Sequence, residues 1–220
     1  MGMILSQIEQ YWTGRAEGYS QVNQHELATG QDRVWLDEIR RHLPEGALKI
    51  LDVGTGPGFF AILLTKAGYD VTAVDYTEAM LEEAKKNAGA LASSIHFQRM
   101  DAQKLDFPDG YFDVVISRNL TWNLEEPGKA YAEWMRVLKK GGRLLNFDAN
   151  WYHHLFDEEK RKEYEEDRKR VEKEPAEGYA QHSPVTFTVE KENTDIHFAC
   201  VHGYPVTFQS DVSAKAIVYK

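Results

Sequence analysis

The chain has 220 residues, of which 42% are hydrophobic and 28% are charged, and its formal net charge at pH 7 is −9. These values are typical of one globular domain with a sizeable core, and the negative charge argues against nucleic acid as the main partner. The sequence shows no bilayer-spanning apolar run and no signal-peptide pattern, so we expect a cytoplasmic protein that does not bind membranes. Cys200 is the only cysteine, which excludes an internal disulfide.

Two helices are predicted at the start of the chain, and together they would form an N-terminal helical cap over residues 1–46. Residues Leu5 to Ser20 carry Trp12 and Tyr19 on an aromatic face. Asn23 to Leu43 is a second amphipathic segment, which ends before a Pro-Glu-Gly stop. The first helix either covers a sheet or closes over a ligand.

The next stretch changes its pattern twice, in Ile50-Leu51-Asp52-Val53-Gly54-Thr55-Gly56-Pro57-Gly58-Phe59-Phe60. An apolar run leads to Asp52, alternating glycines follow, and an apolar helical face begins after Pro57. This order predicts a buried strand, a tight loop and the start of a helix. Glycines at alternate positions let the backbone approach a ligand that a Cβ would block. A tight turn without any ligand is the alternative.

The glycine spacing indicates which ligand the loop suits. A dinucleotide-binding loop follows G-x-G-x-x-G, but here the third glycine, Gly58, comes one residue early and Phe59 takes its place. The resulting D-x-G-x-G-x-G form resembles the first motif of the class I S-adenosylmethionine (SAM) methyltransferases. The resemblance implies a Rossmann-like α/β fold with a doubly wound, mostly parallel sheet. It also implies a SAM site that includes Asp52, Gly54, Thr55, Gly56 and Gly58.

A second strand is predicted from Asp70 to Val74, and it ends in Asp75. One carboxylate can accept hydrogen bonds from both hydroxyls of a ribose, and the neighbouring strand delivers its end to the same edge of the sheet as the glycine loop. We therefore assign Asp75 to the ribose, although it could instead cap the next helix. Tyr76 and Met80 would lie near the adenine or the sulfonium, or else pack in the core.

Two further strand ends contribute candidates. A third strand, Ile95 to Gln98, precedes Asp101 and Ala102. In the resembled family an aspartate at this place reaches the adenine amino group and the backbone of the next residue faces the ring. Asp101 could equally be a turn residue.

The fourth strand, Phe112 to Ile116, leads into Arg118 and Asn119, which we assign to the methionine end of SAM. The resemblance implies that Tyr19 approaches the same end. Trp122 and Trp12 are candidates for the wall of a substrate pocket, with core packing as the alternative for Trp122. No acidic or Asn-Pro-Pro-aromatic signature follows this strand, which argues against methylation of DNA adenine or protein glutamine.

A helix from Pro127 to Lys140 and a fifth strand from Arg143 to Phe147 complete the predicted core. The run RVLKKGGRLLNFD resembles the helix-turn-strand segment of the same family. The resemblance thus extends from Tyr11 to Asp148, and we expect the SAM-binding core to span residues 47–150.

Past this core we expect a charged helical insertion over residues 151–183, which forms either a lid or a plain exposed helix. Strands over 184–220 would complete the sheet edge, within one structural domain overall. Tyr152, His153 and His154 follow the fifth strand and are the candidates for catalysis, since a histidine can act as a base near neutral pH. Adjacent histidines on a surface loop are the alternative.

Three functions fit these patterns. The first is a SAM-dependent methyltransferase that acts on a small molecule, with SAM as its cofactor and no metal. The second is a nicotinamide-dependent oxidoreductase, and the third is a SAM-binding protein without catalysis. Because the sulfonium of SAM is already activated, methyl transfer needs mainly alignment, so the absence of a recognisable catalytic cluster does not exclude an enzyme. We expect the first function, and a homodimer is left open.

Overall fold

The helices and strands come from a computed structural model, which describes residues 3–148, 158–173, 186–189, 195–199, 205–209 and 215–219. The described helices are α1 (Met3–Ala28), α2 (Gln31–Arg40), α3 (Phe59–Lys66), α4 (Glu78–Ala88), α5 (Pro127–Val137) and α6 (Glu158–Lys173), with 3₁₀ turns at Gly89–Ser94 and Thr121–Asn123. The described strands are β1 (Lys49–Val53), β2 (Asp70–Asp75), β3 (Ile95–Arg99), β4 (Phe112–Arg118), β5 (Leu138–Phe147), β6 (Thr186–Val189), β7 (Asp195–Ala199), β8 (Pro205–Gln209) and β9 (Lys215–Tyr219).

Seven of these strands form one sheet in the order β3-β2-β1-β4-β5-β9-β6. Strands β1 to β5 pair in parallel, β9 joins β5 in parallel, and β6 pairs antiparallel with β9. The predicted doubly wound, mostly parallel sheet is therefore confirmed. The strand order reverses between β1 and β4, and in open α/β sheets the crevice at such a reversal, outside the carboxyl ends of the strands, binds ligands.

The C-terminal strands divide between two sheets. Strands β6 and β9 extend the seven-stranded sheet. Strands β7 and β8 instead form a separate antiparallel pair.

Two hydrophobic cores lie on opposite faces of the sheet, because successive side chains of a strand point to opposite sides. On one face, Ile50, Val114 and Ile116 pack with Phe60 of α3 and Ile39 of α2. On the other face, a second set of buried residues packs with α5, and it comprises Leu51, Val53, Val115, Leu144, Tyr131 and Trp134. The sheet is thus covered on both sides, which explains why its central strands carry buried apolar residues on both faces.

The helix boundaries differ from the predicted ones at two places. Helix α1 continues past Ser20 to Ala28, and Gly30, with φ 81°, separates it from α2. Helix α5 ends at Val137 rather than at Lys140, since Leu138 is already buried and paired with Phe112 in the sheet. None of the described helices is long and apolar enough to cross a membrane.

Candidate functional site

A cleft lies at the carboxyl ends of the central strands, and helix α1 forms one of its walls. It encloses about 970 Å³ of empty space, open solvent at the mouth included. Most of the predicted residues line it: Trp12, Tyr19, Asp52, Gly54, Thr55, Gly56, Asp75, Tyr76, Met80, Asp101, Ala102, Arg118 and Asn119. The fold therefore brings together side chains that are up to 107 positions apart, since Trp12 and Asn119 share one cavity.

Two predicted residues lie outside the lining. A Cβ at Gly58 would come within 3.0 Å of the Ala84 Cβ, and Gly58 itself has φ 90°. Gly58 is therefore needed for the turn into α3 and for the close approach of α4. The indole of Trp122 packs against Trp12 with ring centroids 6.1 Å apart, and its Nε1 donates to the Asn119 carbonyl at 2.9 Å. Trp122 thus packs behind Trp12, which lines the cleft.

The three catalytic candidates, Tyr152, His153 and His154, lie outside the described residues. Their assignment stays a prediction.

The backbone N–H groups of the glycine loop are all used within the protein. Those of Gly54 and Thr55 donate to the Val74 carbonyl at 2.8 and 3.0 Å, and that of Gly58 donates to the Thr55 carbonyl at 2.9 Å. The N–H of Gly56 donates to Asp75 Oδ2 at 2.9 Å, and Pro57 has none. These loop N–H groups are therefore not available to a phosphate, which binds through free N–H groups.

Asp75 stabilises the turn that leads into α4. Its Oδ1 accepts at 2.8 Å from the N–H of Thr77, which is the N-cap residue of that helix and makes no capping bond with its own side chain. Its carboxylate also lines the cleft. Burial raises the pKa of Asp75 to about 6, against the opposing hydrogen bonds from Thr77 and Gly56. Each oxygen keeps capacity for a further donor.

Asp52 lies deeper, at the end of β1, and is only 2% exposed. Burial raises its pKa to about 7, although the Thr55 hydroxyl donates to Oδ2 at 2.6 Å and lowers it. Among the residues that line the cleft, Asp52, Asp75, Asp101 and Glu125 are acidic and Arg118 is the basic one. The described part of the cleft thus favours a cation over an anion.

Arg118 reaches the cleft but its guanidinium already has a partner. It donates to both carboxylate oxygens of Glu26, at 3.0 and 2.7 Å, and it stacks 4.7 Å from the ring centroids of Trp35 and Phe59. The pair therefore ties α1 to the end of β4. Asn119 follows in a left-handed conformation with φ 53°, and its N–H donates to the Phe147 carbonyl.

Helix α1 is also held over the cleft by polar contacts with β3 and α4. Glu9 pairs with Arg99 at the end of β3 at 2.6 Å, and Gln24 donates to Asn87 of α4 at 2.6 Å. Together with the Glu26–Arg118 pair, these contacts fasten the helix along its length.

Two residues that matter for the site were not predicted. Asp148 Oδ2 accepts from the backbone N–H groups of Thr121 and Trp122 at 2.7 and 3.4 Å and from the Thr121 hydroxyl. It thereby fixes the loop after β4. Asn23 lines the cleft from α1 and is 4% exposed. Its spacing of four from Tyr19 was the available signal, since residues i and i+4 share a helix face.

The described residues fit SAM better than other nucleotides. Asp75 offers an acceptor for ribose hydroxyls, Asp101 one for an exocyclic amine, and the acidic lining suits a sulfonium. No group of His, Cys, Asp and Glu among the described residues could hold a metal ion.

Comparison with known proteins agrees with this chemistry. Residues 51–146 match the profile of a methyltransferase domain family. A demethylmenaquinone methyltransferase of Deinococcus radiodurans is 35% identical over 144 residues, which cover 63% of this chain and 58% of that protein. A ubiquinone/menaquinone biosynthesis C-methyltransferase of Desulfotalea psychrophila is 34% identical over 145 residues, or 64% and 58% of the two chains. The chain thus spans about three fifths of the length of these curated relatives.

A solved structure shares the fold. It is a candidate SAM-dependent methyltransferase from Methanococcus maripaludis, with a TM-score of 0.58 and 24% identity, and the match covers 74% of this chain and 72% of that one. The fold is that of this structure, and the match over residues 51–146 agrees with the resemblance to class I SAM-dependent methyltransferases that the glycine loop carries.

Proposed function

We propose that the protein binds SAM in the α1-covered cleft and transfers its methyl group to a small, apolar acceptor. One observation carries the cofactor assignment. The Gly54–Gly58 loop spends its N–H groups internally, while carboxylates stand at the ends of two adjoining strands and just past a third. Such a site offers little to a pyrophosphate and much to a sulfonium with an adenosine.

The strand order supports an orientation for the cofactor. Asp101 and Ala102 would hold the adenine beyond β3, and Asp75 would hold the ribose at β2. Asp52 at β1 and Asn119 after β4 would face the methionine end, with Tyr19 of α1 beside Gly56. The paired guanidinium of Arg118 would then act mainly by holding α1 in place.

The apolar side of the cleft supports the acceptor class. Leu5, Ile8 and Trp12 of α1 face Leu120 and Leu124 of the loop after β4. Arg118 is the one basic residue that lines the cleft among the described residues, and Glu26 neutralises it. An uncharged ring compound therefore fits better than an anion. The quinone methyltransferases among the relatives act, by their names, on such compounds.

The reaction needs few groups from the protein. Bound SAM supplies a methyl group on a positively charged sulfur. The cleft residues align the acceptor atom behind that methyl group, and α1 excludes water. If the acceptor carries a proton, one of Tyr152, His153 and His154 would remove it, as the sequence predicts.

Calorimetry with SAM and with NAD tests the cofactor assignment. We expect SAM to bind and NAD not to bind, whereas tight NAD binding without a SAM response would favour the oxidoreductase. Labelled SAM is then offered with a panel of neutral, anionic and cationic ring compounds that includes a demethylated quinol. Transfer to a neutral ring supports the proposal, and SAM binding without any transfer would favour a non-catalytic SAM-binding protein.

We also propose a cytoplasmic location, as expected from the sequence. The division into cap, core, insertion and edge strands, and the homodimer, stay predictions.

A further inference from the structure

We propose that Asn23 binds the amino-acid end of SAM, a role that rests on the proposed function. Asn23 is buried, yet it lines the cleft from the C-terminal third of α1. Among the described residues, none donates to or accepts from its side-chain amide. Buried amides in folded proteins have hydrogen-bonding partners, so this one is suited to a partner that enters the cleft.

The position of Asn23 along α1 decides which part of the cofactor it meets. Tyr19, Asn23 and Glu26 follow one another at spacings of four and three, which places them on one face of the helix. Tyr19 lies beside the glycine loop, where a Cβ at Gly56 would be 3.7 Å from its ring. Glu26 pairs with Arg118 at the end of β4. Asn23 therefore sits between the loop after β1 and the end of β4.

The ribose and adenine candidates lie on the other side of β1. Asp75 ends β2, and Asp101 follows β3, the next strand outward. A cofactor with its adenosine over β2 and β3 directs its amino-acid end toward β4. That end carries an α-carboxylate and an α-ammonium.

An asparagine side chain suits this zwitterion because it offers both two N–H donors and a carbonyl acceptor without a charge of its own. The neighbouring Arg118 is already neutralised by Glu26, so the carboxylate finds no unpaired guanidinium there. The Asn23 amide nitrogen donates to the α-carboxylate, and the amide oxygen accepts from the α-ammonium. Asp52 supplies the negative charge that faces the ammonium.

The test compares two ligands that differ only at this end. S-adenosylhomocysteine carries the amino-acid group, and 5′-methylthioadenosine lacks it. In the nearly isosteric variant Asn23→Leu, calorimetry should show binding of S-adenosylhomocysteine weakened about ten- to hundredfold. Binding of 5′-methylthioadenosine should change less than about twofold. Asn23→Asp places a carboxylate against the ligand carboxylate and should weaken S-adenosylhomocysteine at least as much.

Controls separate binding from folding. His25→Ala changes an exposed side chain on the same helix and should alter neither affinity. Equal weakening of both ligands in the Asn23 variants would mean a structural role for Asn23, and unchanged affinities would mean that water satisfies the amide; either result overturns the inference. If the unmodified protein binds neither ligand, the proposed function itself fails.

Discussion

The loops after β1 and β4 are held in the same way but have different roles. Each follows a central strand at the same edge of the sheet, and each is fixed by a carboxylate from the adjoining strand end. Asp75 of β2 accepts from the Gly56 N–H in the first loop. Asp148, directly after β5, accepts from the Thr121 and Trp122 N–H groups in the second.

The difference lies in what else each carboxylate can reach. Asp75 lines the cleft and is partly exposed, whereas Asp148 is 5% exposed and lies outside the lining. We infer that Asp75 couples the shape of its loop to ligand binding, while Asp148 acts on stability. One device, a carboxylate that holds a neighbouring loop, thus provides a binding group at one strand end and a structural support at the other.

The largest effect should come from Asp148→Ala. The substitution leaves two backbone N–H groups and the Thr121 hydroxyl without their buried acceptor. The free energy of unfolding should fall by about 2–4 kcal/mol in urea denaturation. Asp109→Ala is the control, because that aspartate is an exposed partner of Arg136 and its loss should have little effect. A change below about 0.5 kcal/mol for Asp148→Ala would contradict the structural role.

Asp75→Ala should act mainly on binding. Because a ribose would lose its charged acceptor, SAM affinity should fall by about 1–3 kcal/mol, measured by calorimetry. Asp70→Ala is a matched control, since Asp70 begins the same strand at the opposite edge of the sheet and is exposed. Unchanged affinity in Asp75→Ala would remove this residue from the site.

The raised pKa of Asp75, about 6, and that of Asp52, about 7, predict opposite pH responses with and without ligand. Both folded-state pKa values exceed the ordinary 3.8. Their contribution to the stability of the free protein is therefore full below about pH 4 and is lost as the pH rises through 6 and 7. SAM, a cation, requires the ionised carboxylates. Its affinity should therefore decline by up to about tenfold between pH 7 and pH 6, where Asp52 must lose a proton, and by up to about a hundredfold for each pH unit below 6, where both must.

Calorimetry at several pH values measures the affinity, and urea denaturation of the free protein measures the stability. Asp75→Asn should flatten the part of the affinity profile near pH 6. A profile of identical shape in that variant would assign the titration to another group.

The smallest expected effect is a coupling energy between the loop after β1 and the loop after β4. A Cβ at Gly54, where φ is 67°, would lie 2.7 Å from Leu120 Cδ2. Gly54→Ala should destabilise the protein, and Leu120→Ala should relieve part of that loss, with a coupling energy of about 1 kcal/mol in a double-mutant cycle. Gly56→Ala, which meets no leucine, should show no coupling to Leu120→Ala. Additive effects of Gly54→Ala and Leu120→Ala would mean that the loops are independent.

The sequence was sufficient for features that depend on local pattern. The strand before Asp52, the turn at Gly54 and Gly56, and Asp75 at the next strand end all follow from periodicity and spacing. Features that depend on pairing across the chain were not accessible. From the sequence alone, Arg118 would be interpreted as a free cation, because its partner Glu26 lies 92 positions earlier. The packing of Ala84 on Gly58, 26 positions earlier, was likewise not visible in the sequence.

The prediction of the helix boundaries was wrong for a similar reason. The sequence predicts a first helix that ends at Ser20, but α1 continues to Ala28. Contacts of Gln24 with α4 and of Glu26 with Arg118 sustain this extension. Asn23 was therefore read as the start of a second helix, and its place in the cleft wall was missed.

The way in which α1 is attached has a consequence for the motion of this helix. The helix has 26 residues, a length of about 39 Å, and of its described hydrophobic side chains only Ala16 is fully buried. Its attachment combines polar contacts with the ring packing of Trp12 on Trp122 and the half-buried Leu27. A ligand in the cleft adds contacts to the wall that α1 forms, so it should hold the helix more firmly. Amide hydrogen exchange along residues 3–28 should slow markedly once the cleft is filled.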